Sequence, residues 1–408
     1  MKTKTNGLRG RPDFLLLVLI FLLVGFGLVM VFSASSNMAI IDSDYNNDPF
    51  YFVKMQFLWA VLGTFMMLFI MNIPYIAFKK GFLLYFIPAF IMLILVAIPG
   101  IGEVRNGARS WFGIGGLGVQ PTEFIKLGLI LYLGALIAKK GEKIRDLKKG
   151  LFPIFVIVGA ICGLIMLQPD LGGCIVIAST SLLIIVAGGA NLRQLLFALL
   201  IISLFVTVVV TISMMSNPDG WQYRIDRFTA FLDPTSDEQY TTFHLSRSLQ
   251  ALGHGGLTGT GFGHSVQKLT YLPYAYSDFI FSIIAEEFGF IGSTLFLLVY
   301  LLFIWRGLII AVRCQDSYGT IVGVGIVSLI AIQAIVNIGG VTGAMPLTGV
   351  TLPFISHGGS SLLVTLISMG VLLSISRDHN KPDRQTTRTT KSTRATDTPT
   401  QRKNLRPL

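Results

Sequence analysis

Ten apolar runs, at approximately 14–36, 51–72, 82–99, 119–138, 151–168, 171–188, 192–215, 278–305, 318–339 and 350–376, dominate this sequence. Each is near the ~20 residues that a helix needs to cross the hydrocarbon of a bilayer. The chain is 52% hydrophobic and only 13% charged, well below the ~25% charge of an ordinary soluble domain. A soluble protein with one very large core would need a polar surface that this composition lacks. The expectation is an all-α polytopic membrane protein of ten transmembrane helices. The first run follows Lys2, Lys4, Arg9 and Arg11 as a signal peptide would. Its apolar stretch is longer than a signal core and more spans follow, so it reads as a retained helix.

Basic loops set the orientation. Loop 139–150 carries Lys139, Lys140, Lys143, Arg145, Lys148 and Lys149; loop 73–81 carries Lys79 and Lys80; loop 306–317 carries Arg306 and Arg313. With ten spans these all fall on one side, the cytoplasm, together with both termini. The opposite side receives acidic loop 37–50, loop 100–118 and one long extracellular loop, 216–277. Residues 1–13 form a cytoplasmic N-terminus and 14–376 the membrane domain. Residues 377–408 hold nine Lys/Arg against three Asp, a net of +6, with few apolar residues. That tail reads as disordered and basic, suited to anionic lipid at the cytoplasmic face rather than to nucleic acid. Cys162, Cys174 and Cys314 show neither a disulfide framework nor metal-ligand spacing.

In the long loop, "YTTFHLSRSLQALGHGG" predicts a short amphipathic helix with Phe243, Leu249 and Leu252 on one face, able to lie along the membrane surface. The glycine-rich "GLTGTGFGHS" follows no strand pattern, which argues against a dinucleotide fingerprint. Flexible turns, or backbone approaching a substrate closely, fit better.

Carboxylates in the eighth span carry the chemical interest. Asp278 stands at its mouth, and Ser282, Ala285, Gly289 and Gly292 share its helical face. This small-residue stripe can admit another helix or leave a groove for a lipid chain. Asp278 alone reads either as a helix cap or as a general base beside apolar walls. Glu286 and Glu287 lie about 12–13 Å deeper at ~1.5 Å per residue, where ionisable residues need partners. Lys126, roughly 9 Å down the fourth span, is the expected ion-pair partner for one of them. Arg105, Arg109, Arg224, Arg227, Arg247 and Lys268 fall on the outer side, and arginine forks suit phosphate. Together with the acid they suggest an anionic lipid head group.

The stretches "NGARSWFGIGGLGVQPTEFIKL", "QPDLGG", "YRIDRFTAFLDP", "GTGFGHSVQKLTYLPYAYSDFIFSIIAEEFGFIG" and "NIGGVTGAMPLTGVTLPFISHGGSS" resemble the SEDS family of bacterial membrane proteins (shape, elongation, division and sporulation). They run from the third to the tenth span in the family's order. "TLPFIS" and the overall pattern look most like the cell-division member, with an elongation or sporulation paralogue as the alternative.

The resemblance implies a peptidoglycan glycosyltransferase of the bacterial cytoplasmic membrane. It would polymerise lipid II at the outer face by inverting transfer, beside a class B penicillin-binding protein and other divisome membrane proteins. It puts the essential acid on Asp278 and pocket residues on Arg109, Glu123, Lys126 and Asp170. Arg224 and Arg227 would join Arg109 in meeting the leaving pyrophosphate, with Glu286 and Glu287 in a structural charge network. No cofactor is required, no metal-ligand cluster is visible, and a divalent cation is compatible with the chemistry. Two departures stand out. The family's "LPEAHTDFIF" is "LPYAYSDFIF" here, with Tyr274 and Tyr276 in place of an acid and a histidine. Its "SYGGSS" is "SHGGSS", with His357 in place of tyrosine, either contacting pyrophosphate or filling the site. The rival function is a lipid II flippase, which would use buried charges as a pathway.

Overall fold

The computed structural model describes residues 10–105, 108–114, 117–216, 240–269 and 271–379. Seven helices are long and apolar enough to cross a membrane by length and composition, and three shorter apolar helices occupy the remaining expected spans. In chain order these ten are α1 (Phe14–Ile41), α2 (Tyr51–Met71), α4 (Phe82–Ala97), α5 (Pro121–Lys140), α6 (Phe152–Met166), α7 (Leu171–Ala187), α8 (Leu192–Ser216), α10 (Ile280–Val312), α11 (Ser317–Val341) and α12 (Gly359–His379). A one-turn helix, α3 (Tyr75–Lys80), lies in the expected 73–81 loop, and α9 (Tyr240–Gly255) forms in the long loop. Helices α5, α11 and α12 are buried nearly all round, whereas α2, α6 and α10 present largely apolar outer faces. That division is what lipid as solvent produces.

One end of the bundle is tied by charge. Asp13 caps α1 through the Leu16 amide (2.9 Å) and receives Arg306 Nε (3.1 Å) and Nη2 (2.5 Å) from α10. Arg377 reaches the Gly10 carbonyl and Asn72. At the other end, β1 (Glu103–Arg105), β2 (Ala108–Ile114) and β3 (Leu117–Val119) form an antiparallel sheet in the order β1-β2-β3, where the sequence predicted only a loop. Ser360 at the start of α12 donates to the Gly118 carbonyl (3.0 Å) and accepts from the Gln120 amide (3.1 Å), so sheet, α5 and α12 meet there.

The tenth run departs from expectation. Residues 342–358 are non-helical, and α12 begins at Gly359. Pro353, a left-handed Gly349 (φ 71°) and Phe354 (φ 68°) keep this apolar stretch out of a helix. It still enters the bundle: a Cβ on Gly27 of α1 would collide with the Phe354 carbonyl.

The eighth run is also altered. It starts at Ile280, extends to Val312, and breaks at Gly289 (φ 66°, ψ −167°), a conformation essentially confined to glycine. The glycine-rich segment lies against the break. Thr260 and Gly261 amides donate to the carbonyls of Glu286 and Glu287 (3.0 Å each), while the Phe290 and Ile291 amides donate to Gly256 and Leu257 carbonyls (2.9 and 3.1 Å). A side chain on Gly259 or Gly289 would collide with the facing backbone. The close approach of these glycines is to α10 itself and not, as the sequence suggested, to a substrate. Helix α9 packs along the small-residue stripe, with Ser248 Oγ 2.7 Å from Ser282 Oγ; the stripe is a helix-packing surface. Its buried face carries His244, Leu245, Ser248 and Ala251, whereas Phe243 is exposed and Leu249 and Leu252 are half-buried. The amphipathic helix exists, rotated from the predicted face because α10 rather than the membrane covers it.

Gly289→Ala is expected to destabilise the detergent-solubilised protein by about 2 kcal/mol or more, from backbone strain plus loss of the facing hydrogen bonds. Gly25→Ala, where a Cβ meets nothing within 4 Å, should be neutral in the same thermal unfolding measurement. Equal effects would refute the role given to the break.

A candidate active site at the mouth of α10

Asp278 lies just before α10, whose N-cap position is Phe279, with no side-chain cap hydrogen bond. The helix start therefore falls one residue past the position that a capping Asp278 would define. The backbone around it is held by the 342–358 stretch and α11. Asn337 Nδ2 of α11 donates both to the Asp278 carbonyl (2.8 Å) and to the Val350 carbonyl (2.7 Å). Ser356 Oγ donates to the Ser277 carbonyl (2.7 Å) and accepts from the Leu352 amide (2.9 Å). The His357 amide donates to the Tyr276 carbonyl (2.9 Å). Gln56 of α2 then holds that stretch, donating to the Ser356 carbonyl (3.1 Å) and accepting from the Gly358 amide (3.3 Å). Three consecutive residues, 276 to 278, are thus fixed through their backbone carbonyls.

The two sequence departures meet in space. Tyr276 and His357 rings are 5.7 Å apart, edge to face, and both pack on Phe52 of α2 at 4.3 and 5.2 Å. Burial pushes the Tyr276 phenol upward, so it stays neutral. The ring types at these positions are exchanged relative to the family pattern, and the exchanged rings touch. His357 is a wall residue of this cluster. Tyr274 occupies the left-handed region (φ 56°), and its carbonyl accepts from the Ser277 amide (3.0 Å) in the turn before Asp278.

Glu286 and Glu287 are fully buried, and each has its own partners. Glu286 accepts from Ser265 Oγ and the Val266 amide (3.0 Å) and meets His254 Nδ1 at 2.8 Å. Glu287 pairs with Lys268 Nζ at 2.8 Å and accepts from Ser33 Oγ of α1 at 2.6 Å. The expected pairing with Lys126 is not what forms. Lys126 closes instead on Glu123, one turn away on α5, at 2.7 Å. Depth along two helices does not reveal which helices face each other: α5 packs chiefly on α4, α7, α11 and α12, while α10 packs on α1, α9 and α11. Lys268, read from sequence as an outer-loop charge, is buried because its loop folds back against the break in α10.

The other predicted residues gather at the same end. Asp170 caps α7 by accepting from the Gly173 amide (2.7 Å). The next glycine, Gly172, presses against Thr348 and Val350, and a Cβ on Gly349 would lie 3.6 Å from Asp278 Oδ2. Glu123 and Lys126 are buried, and Lys126 lines a cavity of about 10 Å³ with Thr180 and Ser181 of α7. Arg109 sits in β2, and its Nε is buried without a hydrogen-bond partner among the described residues. Arg224 and Arg227 lie outside the described residues. Among the described residues no group of three or more His, Cys, Asp or Glu could hold a metal. Sequence reasoning missed Gln56, Asn337 and Ser356. The one available signal was an amide or hydroxyl placed in, or beside, an otherwise apolar run.

A family model described as "Cell cycle protein", covering FtsW, RodA and SpoVE, matches residues 14–381. Stage V sporulation protein E of Bacillus subtilis (strain 168) is 45% identical over 368 residues, 90% of this chain and 97% of that protein. The probable peptidoglycan glycosyltransferase FtsW of Trichlorobacter lovleyi is 38% identical over 364 residues, 89% of this chain and 93% of its own. A chain in a solved peptidoglycan synthase complex that coordinates polymerization and crosslinking superposes with a TM-score of 0.70. It is 27% identical and covers 91% of this chain and 99% of that one.

Asn337→Ala removes two hydrogen bonds to buried carbonyls, a loss of about 1–3 kcal/mol. Amide exchange in 350–358 should accelerate at least about tenfold, the factor corresponding to 1.4 kcal/mol. Gln56→Leu should accelerate the same segment. Exchange unchanged in both variants would dissolve the frame. Separately, Lys268→Met strands Glu287 and should cost about 3–5 kcal/mol in thermal unfolding, whereas a loss below about 1 kcal/mol would mean that the pair is effectively solvated.

Proposed function

Since the chain belongs to the FtsW, RodA and SpoVE family of cell cycle proteins, we propose that it is a peptidoglycan glycosyltransferase. In this reading it polymerises lipid II at the outer face of the bacterial cytoplasmic membrane, with ten crossings and both termini in the cytoplasm. One observation carries it: a carboxylate at a helix mouth whose neighbouring backbone is pinned by Asn337, Ser356 and His357. A general base needs such fixed geometry more than it needs an unusual acidity.

Asp278 takes the proton from the 4-hydroxyl of the acceptor's N-acetylglucosamine. That oxygen forms the new bond at the anomeric carbon of the donor's N-acetylmuramic acid. The bond from that carbon to the pyrophosphate oxygen breaks with inversion, and its electron pair leaves with undecaprenyl pyrophosphate. Arg109, Arg224 and Arg227 meet the leaving charge. The buried Arg109 Nε, without a partner among the described residues, is a donor suited to an acceptor of this kind. Asp170 holds its turn against the 348–350 stretch, and Glu123 and Lys126 form an ion pair below the donor. A class B penicillin-binding protein is the natural partner, since the superposed chain comes from a complex that couples polymerization to crosslinking.

The division role suggested by "TLPFIS" has a competitor. The 45% identity to a sporulation protein exceeds the 38% to the FtsW of Trichlorobacter lovleyi, which favours wall synthesis during sporulation as the second reading. The flippase reading has less support, because Glu286, Glu287 and Lys126, the buried charges it would use, each have a fixed partner.

Purified Asp278→Asn, supplied with lipid II and the penicillin-binding partner, should lose about 10²–10⁴-fold in glycan polymerisation while still inserting and folding. Strands formed at the wild-type rate would overturn the assignment. Lipid II flipping without strands by the wild-type protein would replace it with transport.

A further inference from the structure

A second cavity, of about 250 Å³, opens between α1 and the 262–269 stretch, lined by Phe32, Ser33, Ser36, Asn37, Ile40, Phe262, Gly263, Lys268 and Leu269. None of these residues belongs to the frame around Asp278. Its floor is the Lys268 ammonium, 7% exposed, which spends two N–H bonds on Glu287 Oε1 (2.8 Å) and Ser33 Oγ (3.0 Å). An ammonium has three donors, so one remains for the cavity. Ser36 and Asn37, one helical turn above Ser33, add a hydroxyl and an amide. Ser33 itself is used up, donating to Glu287. Among the described residues the groups converging here include an ammonium N–H, a hydroxyl and an amide NH2, donors that an acceptor-rich ligand can use. The walls call for something else as well: Ile40, Phe262 and Leu269 are each exposed by more than two-fifths. Ser33 to Ile40 lie 19–26 residues along α1 from Phe14, about 28–39 Å at 1.5 Å per residue. That is the boundary between hydrocarbon and head groups.

We infer that this cavity binds the phosphodiester head group of a membrane phospholipid, taking its oxygens on Lys268, Ser36 and Asn37 and its first chain carbons on Phe262, Leu269 and Ile40. Charge-assisted bonds from an ammonium to phosphate are the strong members of such a set. The bound lipid would cover the Lys268–Glu287 pair from the leaflet side and so brace the folded-back loop that leads to Asp278. The site is separate from the one proposed for sugar transfer and stands whether or not that proposal does.

The test uses the delipidated full chain in detergent, probed by native mass spectrometry with phosphatidylglycerol, diacylglycerol or inorganic phosphate. Phosphatidylglycerol should be retained and diacylglycerol should not. Inorganic phosphate alone should bind at least tenfold more weakly than the lipid. The double variant Ser36→Ala, Asn37→Leu leaves the Lys268–Glu287 pair intact and should weaken phosphatidylglycerol retention about tenfold, as expected for two lost hydrogen bonds. Equal retention of phosphatidylglycerol and diacylglycerol would leave only an apolar groove. Phosphate binding as tightly as the lipid would make the ligand a soluble ion. Unchanged retention in the double variant would place the lipid elsewhere. Each of these three results overturns the inference.

Discussion

A broken helix at membrane depth must have its freed backbone groups satisfied by protein, since hydrocarbon offers them nothing. In α10 the break at Gly289 exposes carbonyls at Glu286 and Glu287 and amides at Phe290 and Ile291, and the segment 256–261 answers all four. That exchange draws a loop back into the bundle. The loop brings Ser265 and Lys268 to the two glutamates, and α9 to the stripe of small residues. The charges deep in α10 are thus a consequence of the break. They lock the returning loop, and the chain then has only a short path from Lys268 to Asp278.

The second consequence is rigidity at that path's end. The 342–358 stretch is apolar enough to enter the bundle and too rich in Pro and left-handed positions to form a helix there, so its polar backbone groups are available. The His357 amide and the Ser356 hydroxyl are used on residues 276 and 277, with Asn337 and Gln56 supplying the further side-chain bonds to residue 278 and to the stretch itself. Tyr276 and His357 close the same contact by ring packing. Backbone held this way suits the fixed geometry that the proposed glycosyl transfer would ask of a base.

Much of this was legible in the residues. Apolar run length located the membrane helices, seven of them long and apolar enough to cross a bilayer and three shorter; the loop glycines marked unusual backbone, but it lies against α10 rather than against a substrate as the sequence suggested. The carboxylates of α10 marked the interesting end. What failed was facing. Lys126 and Glu287 are at matching depths, and nothing local says that α5 and α10 are not principal neighbours, so the pairing with Glu123 escaped. The amphipathic face of α9 was misjudged by about one residue position because its partner was taken to be lipid. Gly289 read as a small residue in a helix, since a break satisfied from about 26 to 34 residues upstream leaves no periodic trace. Asn337 and Gln56 carry meaning only once the segments they bridge are known to touch.

The central claim is that Asp278, unprotonated, is the base that a fixed frame presents to the acceptor hydroxyl. The pH dependence of single-turnover lipid II polymerisation tests it most directly. The wild-type rate should fall as pH drops through the pKa of one carboxylate, and the slow residual rate of Asp278→Asn should lack that acid limb. An acid limb that survives unchanged in Asp278→Asn would assign the base to another residue.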